Sequence, residues 1–211
     1  MIDKLRLVSK CLLAAIFFLT ISVNAQTEIK INAPFVPLGM INIAAEKALT
    51  KNISLQAEAF VSPWKSFAGK NLQFYMGTVE GRYYFRDVMQ GWYVGAYGSI
   101  GAFNLQKWNY FTPQPVFDEE GNAELLADGS VRLTERYQKG LAFIFGVSGG
   151  YHFTINDKLG LDLYAGIGST QSLYKGYTKD NNERYDGAEN WNRSGELIPT
   201  RGGLMLTYKL K

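Results

Sequence analysis

Six charged side chains fall where an alternating chain turns them to one face: Lys30, Glu46, Glu58, Glu80, Arg82 and Asp162. Charges of both signs gathered on the inner face of a closed sheet do one of two things. They pair into a network that plugs the interior, or they line a path for protons or ions. Where the interior is only wide enough for side chains to fill it, the structural network is expected, because a buried charge without a partner costs several kcal/mol. Arg82 is expected to bridge carboxylates on neighbouring strands, since Glu80 stands too close along its own strand for good geometry. His152 is the only histidine, and Ser148 shares its face. A His–Ser pair would suit a lipid-modifying enzyme, but four strand residues span about 13 Å, beyond hydrogen-bond reach. The expectation is no catalytic residue, no metal site and no cofactor.

A second set of residues lies in two long polar excursions, about 106–137 and 173–197. Trp108, Tyr110, Phe117, Tyr177 and Trp191 stand there among acids such as Asp118, Glu119, Glu120, Asp180 and Asp186. Loops carried on a rigid scaffold are where binding usually sits, so these five aromatics are a candidate surface for a protein or glycan. The acids lack the spacing of an EF-hand. Interfacial aromatics would be an equally simple use of the same residues.

Alternation positions these groups. In 71–85, Glu80 and Arg82 share a face with Phe74, Met76, Thr78 and Tyr84, while Tyr75, Gly77, Val79, Gly81, Tyr83 and Phe85 take the other. The 53–62 run is cleaner: Ile53, Leu55, Ala57, Ala59 and Val61 against Ser54, Gln56, Glu58, Phe60 and Ser62. A period of two marks strands. Eight such segments are expected: 27–35, 40–48, 53–62, 71–85, 92–105, 138–153, 159–172 and 198–210. The 40–48 segment also reads as a run of helix formers, and strand is favoured because its neighbours are strands. The run 131–135 alternates too, which would extend the sixth strand into a projecting hairpin. The phase 203, 205, 207 and 209 opposes Leu204, Leu206, Tyr208 and Leu210 in the last strand.

Residues 1–25 have the form of a secretory signal: Lys4, Arg6 and Lys10, then the apolar run Cys11–Val23, then Val23-Asn24-Ala25. Thirteen apolar residues are few for a membrane-spanning helix. Its removal takes away the only cysteine, three basic residues and one acidic residue, so a formal charge of +3 becomes +1. The expected domains are the signal, 1–25, and one barrel domain, 26–211. A near-neutral mature chain gives no reason to expect nucleic acid as a partner.

The connections at 49–52, 87–91 and 154–158 are short, whereas the long excursions fall at the opposite end. That asymmetry, an even strand count and charges on the inner face point to an all-β fold: an eight-stranded antiparallel transmembrane β-barrel with short periplasmic turns and long extracellular loops. A soluble periplasmic sandwich or lipocalin-like barrel would give the same alternation with the faces reversed.

The run Val79-Glu80-Gly81-Arg82-Tyr83-Tyr84-Phe85 followed by 91–104 resembles the signature of an uncharacterised outer-membrane barrel family, a Pro-Glu-x-Arg-Tyr-Trp strand with a glycine-rich partner. Residues 42–46, 54–64, 162–168 and 199–208 resemble it in order. Val79 and Tyr84 stand where that family often has proline and tryptophan. The resemblance implies an OmpA- or OmpX-like barrel of Gram-negative bacteria and no established activity. The expected role is envelope integrity or surface interaction by a monomer in the cell outer membrane, porin-like in build. Its partners would be outer-membrane lipid and lipopolysaccharide, barrel-assembly machinery, and a surface protein or glycan. The alternatives are a lipid-modifying outer-membrane enzyme and an accessory barrel of a surface assembly.

Overall fold

A computed structural model describes residues 26–106, 112–118, 120–185 and 190–210. The expected signal at 1–25, with Cys11, lies outside the described residues. The strands are β1 (Thr27–Asn32), β2 (Ile41–Ala48), β3 (Ile53–Phe67), β4 (Lys70–Tyr84) and β5 (Gly91–Leu105). They continue as β6 (Gln114–Pro115), β7 (Leu133–Thr134), β8 (Arg136–Thr154), β9 (Leu159–Thr178) and β10 (Asn192–Lys209). Eight of them close into an antiparallel barrel in the order β1-β10-β9-β8-β5-β4-β3-β2. β6 and β7 pair separately.

The polarity of the sheet is inside-out. Ile31, Ile43, Leu55, Val79, Val94, Phe145, Leu163 and Leu206 are exposed on the outer wall, while Lys30, Glu46, Gln56, Glu80, Arg82 and Asp162 are buried in the lumen. The two faces follow directly from alternation, because a strand sends neighbouring side chains to opposite sides. At the short-turn end the outer wall carries ring pairs, Trp92 with Tyr151 at 5.1 Å and Tyr83 with Phe85 at 5.8 Å. Large inward side chains need room on neighbouring strands, and glycine supplies it. A Cβ on Gly150 would lie 2.5 Å from the Tyr93 hydroxyl and 2.6 Å from the Leu163 carbonyl.

Several boundaries differ from the sequence expectation, each for a local reason. The first strand ends at Asn32 rather than at residue 35, because Pro34 and Pro37 turn Ala33–Leu38 into a 3-10 helix. Segment 40–48 is a strand, β2. β3 runs on through Pro63 to Phe67 and turns at Ala68-Gly69, both with positive φ, where a loop from residue 63 was expected. Its pairing to β2 stops at Val61, so beyond that point it is an edge that tolerates proline. β9 and β10 are longer than expected and pair up to Tyr174 and Asn192, which shortens the second excursion. The 131–135 run does not extend the sixth strand. Leu133–Thr134 pairs with Gln114–Pro115, and β8 begins only at Arg136.

Candidate functional site

The luminal charges meet at mid-barrel. Lys30 on β1 donates to Asp162 Oδ2 at 2.6 Å and also pairs with Glu46. Arg82 on β4 reaches Glu46 at 3.0 Å and Asp162 at 2.6 Å through Nη1, while its Nε donates to Glu80 at 2.9 Å. Glu58 and Glu80 share a further cation, Arg201 on β10: it pairs with Glu58, and its Nη1 lies 3.0 Å from Glu80. All six residues singled out in the sequence therefore enter one connected cluster. Two details of the expectation are corrected. Glu80 does pair with Arg82, because the guanidinium folds back along its own strand while its far end spans the lumen. The other carboxylates it holds come from β2 and β9, not from its neighbours β3 and β5, since a closed barrel sets non-adjacent strands face to face.

Four carboxylates here face three cations, leaving one negative charge in excess. Neutral donors offset it. Ser54 and Tyr84 donate to Glu46 at 2.5 and 2.7 Å, Tyr93 donates to Asp162 at 2.7 Å, and Asn42 donates to Glu58 at 2.8 Å. Ser148 bonds Glu80. The rings of Tyr97 and Tyr164 flank Arg201 at 5.0 Å each, and Tyr93 lies 4.4 Å from Arg82. The side chains of Lys30, Glu46, Arg82 and Asp162 are fully shielded, so the barrel is filled at this level.

Arg201 was missed by sequence reasoning. Carrying the inner phase of Gly203, Met205 and Thr207 back by one step would have found it. The irregular register between Pro199 and Arg201 obscures that phase on the far side. Glu28, two residues before Lys30, was also missed. It holds His152 Nε2 at 3.0 Å beneath the cluster, with Thr207 at 3.3 Å. His152 and Ser148 thus have separate partners. A cavity of about 170 Å³ adjoins Glu28 and His152 at the short-turn end, and another of about 230 Å³ lies above the cluster at the long-loop end.

Among the described loop aromatics, Tyr177 and Trp191 line one groove and Phe117 does not. Trp108 and Tyr110 lie outside the described residues. Phe117 is exposed and bridged to Ala123 within the first excursion. Tyr177 and Trp191 line an outer groove with Lys65, Lys139 and Lys175. Lys139 and Lys175 are direct cross-strand partners. Each lies over an aromatic ring, Lys139 over Tyr177 at 5.3 Å and Lys175 over Trp191 at 4.9 Å. Above the groove Glu135 ties the excursions to the barrel rim, bound by Lys70 at 2.5 Å, Gln106 at 2.8 Å and Lys179 at 2.9 Å. The hydrogen bond from Gln106 and those from the two lysines hold its carboxyl at about 2.

A model for a family of proteins of unknown function, DUF3575, matches residues 10–210. The chain belongs to this family. No curated protein and no solved structure matches it. Membership of DUF3575 assigns no chemistry to the cluster, so its reading rests on geometry.

Proposed function

We propose that this DUF3575 protein is a monomeric outer-membrane barrel, OmpA- or OmpX-like in build, inserted by barrel-assembly machinery in a Gram-negative envelope. It serves envelope integrity or surface contact through its long-loop end, without catalysis. The observation that carries the reading is the inverted polarity: large aliphatic and aromatic side chains crowd the outer wall, while paired charges fill the lumen. A soluble barrel would hide the first set and hydrate the second. The ion-pair cluster is the plug that holds the lumen shut.

The outer groove supports lipopolysaccharide as the lipid partner. Like charges directly opposite each other destabilise a strand pair. Among the described residues neither Lys139 nor Lys175 has a carboxylate partner, and an anionic headgroup at the rim would offset that repulsion.

The test is fractionation of cells producing the chain, with gel migration before and after boiling. Recovery with the outer membrane and a faster unboiled band are expected. A soluble periplasmic protein whose migration ignores heating would refute the reading.

A further inference from the structure

The barrel wall is notched on one side. β1 and β2 have 6 and 8 residues, while their outer neighbours β10 and β3 have 18 and 15. Pairing of β1 with β10 stops at Asn32 opposite Met205, and pairing of β2 with β3 stops at Ile41 opposite Val61. Above those points β10 and β3 continue with no strand between them. At about 3.3 Å per residue, the last six residues of β3 climb about 20 Å along the strand beyond the short hairpin. Register puts Ile198 on the inner face, opposite Gly168, yet it is 38% exposed, and its neighbour Leu197 is 72% exposed.

The sill of the notch is the 3-10 segment Ala33–Leu38, sequence APFVPL, with none of its residues buried. In a membrane-spanning wall its exposed Val36 and Leu38 would face hydrocarbon. From it, rings lead inward: Phe35 to Phe60 at 5.3 Å edge-on, and Phe60 to Phe74 at 6.0 Å. Phe74 belongs to the wall of the 230 Å³ cavity above the plug, with Phe103, Ala142, Ile144 and Ile198, and with Ser172 and Glu196 among its polar members. Trp64 latches the sill to β3. Its indole N–H donates to the Leu38 carbonyl at 2.8 Å, and its ring lies so close over Gly39 that a Cβ there would meet it at 2.7 Å.

We propose that this chamber takes the hydrocarbon chain of an outer-leaflet lipid, which enters sideways through the notch between β3 and β10. An apolar cavity of about 150 Å³ accommodates benzene, so this one has room for a longer run of methylenes. The headgroup stays at the rim, and no bond is made or broken, since His152 lies on the far side of the plug. The proposal rests on the membrane-spanning reading above.

The test uses the full barrel refolded into phosphatidylcholine vesicles containing a lipid with a photoactivatable diazirine in mid-chain. Labelled residues are mapped by peptide mass spectrometry. Chamber residues such as Phe103 and Ile144 should be labelled alongside outward ones such as Val94. The chamber label should vanish in Ile144→Trp, or in Ser172→Phe from a different strand, while the outward label persists. Outward label without chamber label overturns the proposal and leaves the membrane reading standing. No label at either place overturns both. Chamber labelling by a water-soluble diazirine fatty acid but not by the lipid also overturns it, because the route is then through the loops.

Discussion

Removing Arg82 distinguishes a structural plug from a conducting path. Its guanidinium is the common partner of Glu46, Glu80 and Asp162. In Arg82→Met, Lys30 still pairs with Glu46 and Asp162, and Arg201 still pairs with Glu80, so the loss is partial for each carboxylate. The cluster's excess of negative charge nevertheless rises from one to two, because four carboxylates then face only Lys30 and Arg201. Breaking a buried pair by deleting one partner costs about 3–5 kcal/mol, a large share of the roughly 5–15 kcal/mol that holds a typical domain. Arg82→Met is therefore expected to lose about 3–5 kcal/mol, read as the urea midpoint of the refolded barrel by tryptophan fluorescence and by its heat-modifiable band. Asp162→Asn added to it returns the excess to one and should recover part of the loss, a coupling that a double-mutant cycle isolates. Stability within about 1 kcal/mol of the parent would refute the plug. Normal stability with altered conductance in a planar bilayer would favour the ion path instead.

Three further outcomes are expected. Gly150→Val drives Tyr93 from its bond to Asp162 and should cost about 1–3 kcal/mol by overpacking, whereas Tyr93→Phe beside Gly150→Val should add little; additive losses would show that the glycine does not make room for this ring. Glu135 is held at about 2 against an ordinary 4.5, so its contribution is present above about pH 4.5 and lost as pH falls toward 2. At about 1.4 kcal/mol per unit the ceiling is about 3 kcal/mol, lowered by solvent at a side chain 22% exposed; Glu135→Gln should lower the urea midpoint at pH 7 and leave it unchanged near pH 2, and an equal deficit at both would contradict the assignment. Lys139→Glu turns a repulsive cross-strand pair into an attractive one, gaining about 0.2–1 kcal/mol in neutral detergent while reducing lipopolysaccharide retained through purification, and unchanged retention would remove the groove from the lipid-binding surface.

The sequence carried the faces well and the distances hardly at all. Period-two alternation in 53–62 and 71–85 placed Glu58, Glu80 and Arg82 in the lumen without any knowledge of register, because which face a side chain takes is local. Which charges touch depends on closure and stagger, which are set by all eight strands together. That is why Arg82 was assigned to neighbouring strands when its partners lie across the barrel. Arg201 escaped for a related reason: one irregular residue between Pro199 and Arg201 reverses the phase, and nothing in the residues upstream announces it. Strand ends were misjudged where proline acts differently by context. Pro34 stops β1, whereas Pro63 is absorbed in β3 because its neighbouring edge is already unpaired.

The same short hairpin links the plug to the notch. β1 and β2 are long enough to deliver Lys30 and Glu46 to mid-barrel and then stop, at the prolines, just above them. A longer hairpin would complete the wall and seal the chamber from the side. A shorter one would remove two members of the cluster, Lys30 and Glu46, and leave Arg82 and Asp162 without them. The length of β1–β2 thus sets both the floor of the chamber and the height of its side entrance, so lengthening the hairpin above Asn32 and Ile41 should close the lateral route while leaving the cluster intact.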